Sequence, residues 1–495
     1  MEYILTVDVG ATSVKVILFD SDARIIKSSG GEYTLLTTGE TRVELPPHVY
    51  WDTLKRCVAD ILAQRDVRAD EIRVMTVSTQ GETFVTLDEH NAEIGNAIIW
   101  IDSRATSQAD LIRERFGRDV FFQTTGLGEV SPIWPACKIL WLRENEPRRF
   151  ERTRKFLLLQ DYLIFRLTGE CVCELTNASS CGYLNINAAE WWHEMMDYIG
   201  VRPGNFGRLT ASGTIVGPVC RKAADELGLS EHTVIATGAQ DQTASALGGG
   251  NVKAGILTET TGTALALIRT IDRPRYDLDA NINYVPHSVP DRFIALAVSQ
   301  TAGIVLKWFK DTFCGEEVKA ARESSVYAIL DEMAARIPPG CEGLTVSPHF
   351  NGKLFPGTDP NLRGVFRGVS LHHTKAHFIR AIMESVAFML KENIEYLDGA
   401  YGPAESIISL GGGAKSLLWA QIKSNVLGAP VKMLECSESP SLGSAMLAAV
   451  AIGWASDILE ACNRFVRVSQ SVEPDPTQTE VYDSVYREFL RTSGL

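Results

Sequence analysis

At 495 residues, 45% of them apolar, with a formal net charge of −13, the chain has room for roughly two to four domains and is too acidic to be built around nucleic acid or an anionic membrane. Its ten cysteines are scattered without a Cys-x-x-Cys pair, which excludes a zinc ribbon or a disulfide framework and leaves reduced, mostly buried thiols. Met1 leads straight into an apolar run with no basic leader, and the longest apolar stretch, around Ala445–Trp454, is too short for a bilayer. A cytoplasmic protein with no membrane contact is expected.

The first elements predicted are the strands Tyr3–Asp8 and Val14–Phe19, a hairpin joined by Asp8-Val9-Gly10-Ala11-Thr12-Ser13. A short strand follows at Ile25–Ser28. A helix is predicted over Tyr50–Gln64 from the spacing of Leu54, Val58, Ile61 and Leu62, and a further strand at Val74–Ser78. This β-β-β-α-β order resembles the actin-like, hexokinase-like ATPase core rather than an alternating βα fold. Val234–Ala239 is the next clear strand, leading into Gln240-Asp241-Gln242 and a small-residue stretch that ends in Gly248-Gly249-Gly250. Three glycines together are expected to form a hinge near 247–252, dividing the chain into 1–247 and 248–495.

The second half repeats the plan. Gly255–Glu259 and Ala264–Arg269 flank Thr260-Thr261-Gly262-Thr263 as a hairpin. Phe378, Ile382, Val386, Met389 and Leu390 mark a helix, and the strand Ile407–Leu410 runs into Gly411-Gly412-Gly413-Ala414. Glycine turns after buried strands let backbone N–H groups approach an anion. Two such loops in two similar halves, with a third glycine turn, point to ATP and phosphoryl transfer. The fold class expected is α/β, with two actin-like (ribonuclease H-like, hexokinase-type) domains and an ATP cleft between them.

Longer motifs sharpen this. Pro135 and Lys138-Ile139-Leu140-Trp141-Leu142-Arg143-Glu144-Asn145 form one. Another is Gly364-Val365-Phe366-Arg367-Gly368-Val369, followed after seven residues by His377-Phe378-Ile379-Arg380-Ala381-Ile382-Met383-Glu384. With Gln160-Asp161-Tyr162, Leu167-Thr168-Gly169 and Trp100-Ile101-Asp102-Ser103-Arg104, they resemble the signatures of the FGGY family of carbohydrate kinases, in order from Tyr3 to about Ala449. Ile133 departs from the first signature, which usually has an aromatic or small residue there.

Asp241 follows a buried strand in a glycine- and alanine-rich turn, and the resemblance makes it the base that takes the acceptor proton. The bland alternative is a helix N-cap. Asp8, at the end of the first strand, is expected to hold Mg²⁺ through water, with Asp241 beside it. Gly10, Thr12, Ser13 and Lys15 are expected at the terminal phosphates, joined by Gly262 and Thr263 from the second half. The resemblance adds Gly303 and Lys307 as nucleotide contacts, and Gly412, Gly413 and Ser416 as the wall against adenosine.

The acceptor loop is expected at Gln80, Gly81, Glu82 and Thr83, with Trp100, Asp102 and Gln242 lining the pocket. The matching glycerol-kinase segment is Asn-Gln-Arg-Glu-Thr, so Gly81 stands for an arginine, and a glycerol-holding tyrosine falls at Ile133. Xylulokinases carry Gln-Met-His-Gly and share only Gln80. Loss of the arginine and tyrosine favours an acceptor larger than glycerol, a ketopentose such as xylulose. A polyol, an autoinducer-2-type substrate, and an actin-like ATP-binding regulator without a sugar substrate are the alternatives. His372, His373 and His377 are not expected to bind zinc, Trp191-Trp192-His193 is expected to pack, and Asn351–Arg363 to brace the halves. The resemblance also implies a homodimer.

Overall fold

A computed structural model describes residues 2–63, 67–321 and 325–492. Two mixed sheets organise them. The first runs in the spatial order Ile215–Pro218, Val234–Gln240, Ile72–Thr79, Tyr3–Val9, Ser13–Phe19, Ile25–Glu32. Tyr3–Val9 is antiparallel to Ser13–Phe19 but parallel to Ile72–Thr79, which is in turn parallel to Val234–Gln240. The second sheet runs Asn283–Pro286, Phe293–Ser299, Leu265–Ile271, Ile256–Thr261, Ser406–Leu410, Val431–Leu434, Val468–Val472. Without its edge strand Asn283–Pro286 it has the topology of the first sheet: a three-strand antiparallel meander, two parallel strands, and an antiparallel edge. The duplicated actin-like plan expected from the sequence is present.

Local chemistry explains the elements. In Tyr3–Val9 every side chain except Asp8 is buried, as a strand with parallel and antiparallel neighbours and both faces covered requires. The predicted helix at Tyr50 begins earlier, at Pro47, because proline at the first helical position has a preset φ and no N–H to lose. That helix is described to Leu62, and Gln64 lies outside the described residues. The Phe378–Leu390 pattern is the centre of a 27-residue helix, Lys375–Tyr401. A smaller five-stranded sheet (Leu36–Thr38, Arg42–Leu45, Ala97–Ile98, Phe84–Leu87, Lys155–Leu158) stands beside the first. Among the described residues no helix is long and apolar enough to cross a membrane.

The two halves meet through helices Asp241–Gly248 and Ser439–Ala451, the latter also lying against Tyr3–Val9 and Ile72–Thr79. This contact gives the glycines a different role from the loose connection that their sequence suggested. A Cβ at Gly248 would sit 1.9 Å from the Ser439 carbonyl oxygen, and one at Gly443 would sit 1.9 Å from that of Ala244. Glycine is there so that two backbones can touch. The Ser245 and Ser439 hydroxyls hydrogen-bond across the same seam at 2.8 Å. A second tie comes from the strand Asn283–Pro286, where Tyr284 N–H donates to the Gly126 carbonyl at 2.7 Å and the Tyr284 ring stacks on Phe122.

Gly443→Ala should therefore lower stability by about 1–3 kcal/mol through overpacking. Gly217→Ala, with nothing within 4 Å of the added Cβ, should stay within roughly 0.5 kcal/mol of wild type. Paired thermal melts check this, and equal melting temperatures for the two variants would refute the close-packed seam.

Candidate active site

Parallel strands place the acidic residues. Asp8 stands opposite Ser78, Val9 opposite Thr79, and Thr79 opposite Gln240, so Asp8, the Gln80–Thr83 turn and Asp241 emerge at one end of the first sheet. The carboxyl ends of parallel strands are where α/β sheets leave a crevice. Asp241 opens the helix Asp241–Gly248 without having to cap it. Gln240 does that, its Oε1 accepting from the N–H groups of Gln242 at 3.0 Å and Thr243 at 3.3 Å. Asp241 accepts one hydrogen bond from the backbone, from Gln242 N–H at 2.7 Å.

Three carboxyls crowd this crevice. Burial pushes Asp241 up to about 7, Glu82 adds to the shift, and the Gln242 N–H opposes it. Asp8 also rises to about 7, first by burial and then through the charge of Asp241, with Lys15 pulling the other way. Glu82 reaches about 7 by burial, opposed by the Ser180 hydroxyl and the Lys138 ammonium. Oδ1 of Asp8 is buried with no hydrogen-bond partner among the described residues. An orphaned oxygen among uncompensated carboxyls suits a hydrated divalent cation, since Mg²⁺ keeps most of its waters and needs only one or two carboxylates. No cluster of three or more His, Cys, Asp or Glu among the described residues has metal-holding geometry.

The Gln80–Thr83 turn is tightly built. Glu82 has φ 56°, in the left-handed region, and Gly81 packs so that a Cβ there would lie 3.0 Å from Ser180 Oγ and 3.4 Å from Gln240 Nε2. Ser180 and Gln240 thus take up part of the room beside residue 81. Gln80 is buried, donating to Tyr50 Oη at 3.3 Å and leaving its Oε1 unpartnered. Thr83 Oγ1 accepts from Trp100 N–H at 3.0 Å, and the Trp100 side chain is exposed. Gln242 is half-buried beside Asp241. Asp102 is fully buried, and its carboxylate is spent on Val43 N–H at 2.6 Å and on the Arg104 guanidinium. It therefore ties the strand at Val43 to Arg104 and has no oxygen free for a ligand hydroxyl among these contacts.

The nucleotide-type loops divide between the halves. Gly10, Thr12 and Ser13 form the first hairpin turn, closed by Gly10 N–H donating to the Ser13 carbonyl at 2.9 Å and covered by the Tyr33 hydroxyl on the Gly10 carbonyl. Lys15 leaves this turn and pairs with Glu438 of the second half at 2.6 Å. Gly262, Thr263, Gly303, Lys307, Gly412, Gly413 and Ser416 all line one cavity of about 480 Å³ in the second half. Close backbone approach makes it, because Gly303 N–H donates to the Gly262 carbonyl at 2.8 Å and a Cβ on Gly303 would clash with that oxygen. Beneath it the fully buried Lys423 ammonium holds Glu259 at 2.5 Å and Thr261 Oγ1 at 2.9 Å.

Sequence reasoning missed Lys138, although the first long motif contains it. Fully buried, its ammonium donates to the Ile99 carbonyl at 2.8 Å and the Trp100 carbonyl at 3.0 Å, and burial lowers it to about 7. It ties the acceptor rim to the helix Pro135–Asn145. Glu438 and Asp331 were also missed, since nothing local marks them. Nδ1 of His373 and of His377 accepts a backbone N–H, from Ser370 and Thr374 respectively, and Nε2 of His377 lies 3.0 Å from a Glu342 carboxylate oxygen.

Phosphate-type glycine turns on both of two duplicated sheets, with a carboxylate cluster at the end of the first, are the features of a phosphotransferase of the actin-like class. Comparison with known proteins narrows the class. The chain belongs to the FGGY family of carbohydrate kinases: the N-terminal domain of the family matches residues 3–248 and the C-terminal domain residues 258–452. It is 30% identical over 486 residues to xylulose kinase of Bacillus subtilis, covering 98% of this chain and 95% of that one. It is 28% identical to autoinducer-2 kinase of an Enterobacter species, covering 99% and 93%. Ligand-bound xylulose kinase of Lactobacillus acidophilus shares the fold with a TM-score of 0.90 at 24% identity, covering 99% and 98%. The protein is a sugar kinase, a phosphotransferase with an alcohol group as acceptor, acting on a small molecule.

Two outcomes follow. Raised carboxyls bind protons more tightly in the folded chain than in the unfolded one, where aspartate titrates near 3.8. Stability then falls as pH rises from about 4 to 7 and stays low above that window. In EDTA, Asp241→Asn should melt higher than wild type at pH 8, with the gap narrowing toward pH 5. A gap independent of pH would contradict the crowding. Lys138→Met should raise the acceptor KM about tenfold or more while leaving the KM for ATP unchanged, and equal rises in both would make Lys138 merely structural.

Proposed function

We propose that the protein transfers the γ-phosphate of ATP to a hydroxyl of a small sugar, with a ketopentose such as xylulose as the favoured acceptor. The observation that carries the reading is the group of three carboxyls, Asp8, Glu82 and Asp241, at the ends of parallel strands, with Asp241 relieved of capping by Gln240. Asp241 accepts the proton of the attacking hydroxyl as that oxygen bonds to the γ-phosphorus. The bond from phosphorus to the bridging oxygen breaks, and ADP leaves. Gln80, Glu82 and Gln242 hold neighbouring hydroxyls, and Trp100 covers the pocket mouth.

Backbone N–H groups at Gly412 and Gly413, with the hydroxyls of Thr12, Ser13 and Thr263, cradle the phosphates, while Gly10 and Gly262 shape their turns by donating to the Ser13 and Ala264 carbonyls. Gly303, Lys307 and Ser416 line the nucleoside end. Asp8 and Asp241 hold Mg²⁺, which when bound supplies positive charge to the phosphoryl oxygens. Lys15, which faces Glu438 across the cleft, is placed to exchange that partner for a phosphate. The division into 1–247 and 248–495 gives two bodies whose approach excludes water and suppresses ATP hydrolysis.

Xylulose as acceptor is supported by the name of the Bacillus subtilis relative and by the missing arginine at Gly81. Packing of Ser180 and Gln240 against Gly81 keeps a smaller polyol as the second reading, and the autoinducer-2 kinase relative a third. The test is ADP release with Mg·ATP over xylulose, ribulose, fuculose, rhamnulose, glycerol, erythritol and ribitol. One acceptor should raise turnover far above the sugar-free rate, and Asp241→Asn should lose about 10²–10⁴-fold of it while still binding ATP. Near-normal turnover in that variant would sink the assignment of the base. A flat panel with intact ATP binding would move the protein to the regulator reading.

A further inference from the structure

Asp331 is out of place in a site for a polyanion. It lies on the helix Val326–Ala335, half-buried, and lines the second-half cavity together with the glycine turns. Burial raises its carboxyl above the ordinary aspartate value, and the Ser416 hydroxyl is the group that opposes this; no Lys or Arg among the described residues offsets its charge. Ser416 caps the helix Leu417–Leu427, its Oγ accepting from Trp419 N–H at 3.0 Å, so its own proton is free to point at Asp331. Lys307 lines the same cavity, but its ammonium is engaged by Asp311 at 2.6 Å.

An uncompensated carboxylate repels a triphosphate, so it is tolerated only at the neutral end of the ligand. A carboxylate also only accepts hydrogen bonds, so the ligand group that meets it must donate. The cavity that it lines has apolar and aromatic walls at Ile304, Leu306, Tyr327, Ala328 and Trp419, with Ser325 and the exposed Lys415 among its polar positions. Such walls suit the flat face of a base better than a ribose, whose hydroxyls want polar neighbours. We infer that Asp331 selects the nucleobase, accepting a hydrogen bond from its exocyclic amino group, an inference that rests on the nucleotide reading of this cavity. Adenine carries an amino group at position 6, where hypoxanthine carries an oxygen. That oxygen would face Asp331 lone pair to lone pair.

The experiment compares ATP with ITP, two purines of the same shape, as phosphoryl donors for wild type, Asp331→Asn and Asp331→Ala at saturating acceptor. Nucleotide binding is titrated alongside by calorimetry in the absence of acceptor. Wild type should prefer ATP. Asp331→Asn, whose amide both donates and accepts, should lose about tenfold or more of the ATP-to-ITP ratio in kcat/KM, mainly by improved use of ITP. Asp331→Ala should lose ATP affinity without gaining ITP. A charge effect alone would change both nucleotides equally and leave the ratio fixed, and that result overturns the inference. So does a change confined to the ratio of ATP to 2′-deoxy-ATP, which would place the ribose at Asp331. A wild type that binds neither nucleotide would overturn the nucleotide reading itself. Wild type active with ATP, beside an unchanged ratio in the variants, would overturn only the role of Asp331.

Discussion

Everything at the catalytic end depends on one electrostatic constraint: Asp8, Glu82 and Asp241 share a desolvated crevice with too little positive charge to balance them. A chain selected only for stability would have dispersed or paired these groups. Carboxyls held this way, with only Lys15 and Lys138 opposing the shifts of Asp8 and Glu82, are what the proposed site for a cation and a phosphoryl group would require. The rest of the first half serves that arrangement. Gln240 takes over the helix cap, Lys138 pins the Ile99 and Trp100 carbonyls, and Asp102 ties Val43 to Arg104.

The duplicated topology makes the asymmetry of the chemistry instructive. Asp8-Val9-Gly10 and Thr260-Thr261-Gly262 stand at matching turns of the two sheets, yet only the first carries an acid at its leading position. In the second half the buried acid is Glu259, one residue earlier. It is neutralised where it stands by Lys423, and hydrogen-bonded by Thr261 and Ser409. One buried carboxylate is paired and so acts as structure, while the others are left unpaired and so are available for function. The same frame thus carries unpaired carboxyls at one turn and a neutralised one at the other.

Close backbone contact sets how the halves work against each other. Gly248 and Gly443 allow two helices to touch, which makes the junction a packed seam, and the strand Asn283–Pro286 adds a second anchor on Gly126. Motion across such a seam is a small slide or rotation of packed surfaces rather than a swing on a loose tether. The Lys15–Glu438 pair joins the two halves near the first glycine turn, linking the strand Ser13–Phe19 to the start of the seam helix.

The sequence by itself determined the repeated strand order, the three glycine turns and the identity of Asp8, Glu82 and Asp241 as candidate acids. Periodicity, β-branched runs and glycine turns are local signals, and long motifs keep their spacing in any reading of the chain. What it could not determine were contacts between distant segments. Gln240 rather than Asp241 as the cap, Asp102 spent on Arg104, Lys138 beneath Trp100 and glycines serving a helix seam all depend on which surfaces meet. Burial and charge pairing belong to that level. Only the tertiary structure decided which carboxylates are neutralised and which are left to do chemistry, because desolvation and neighbouring charge act through space and not along the chain.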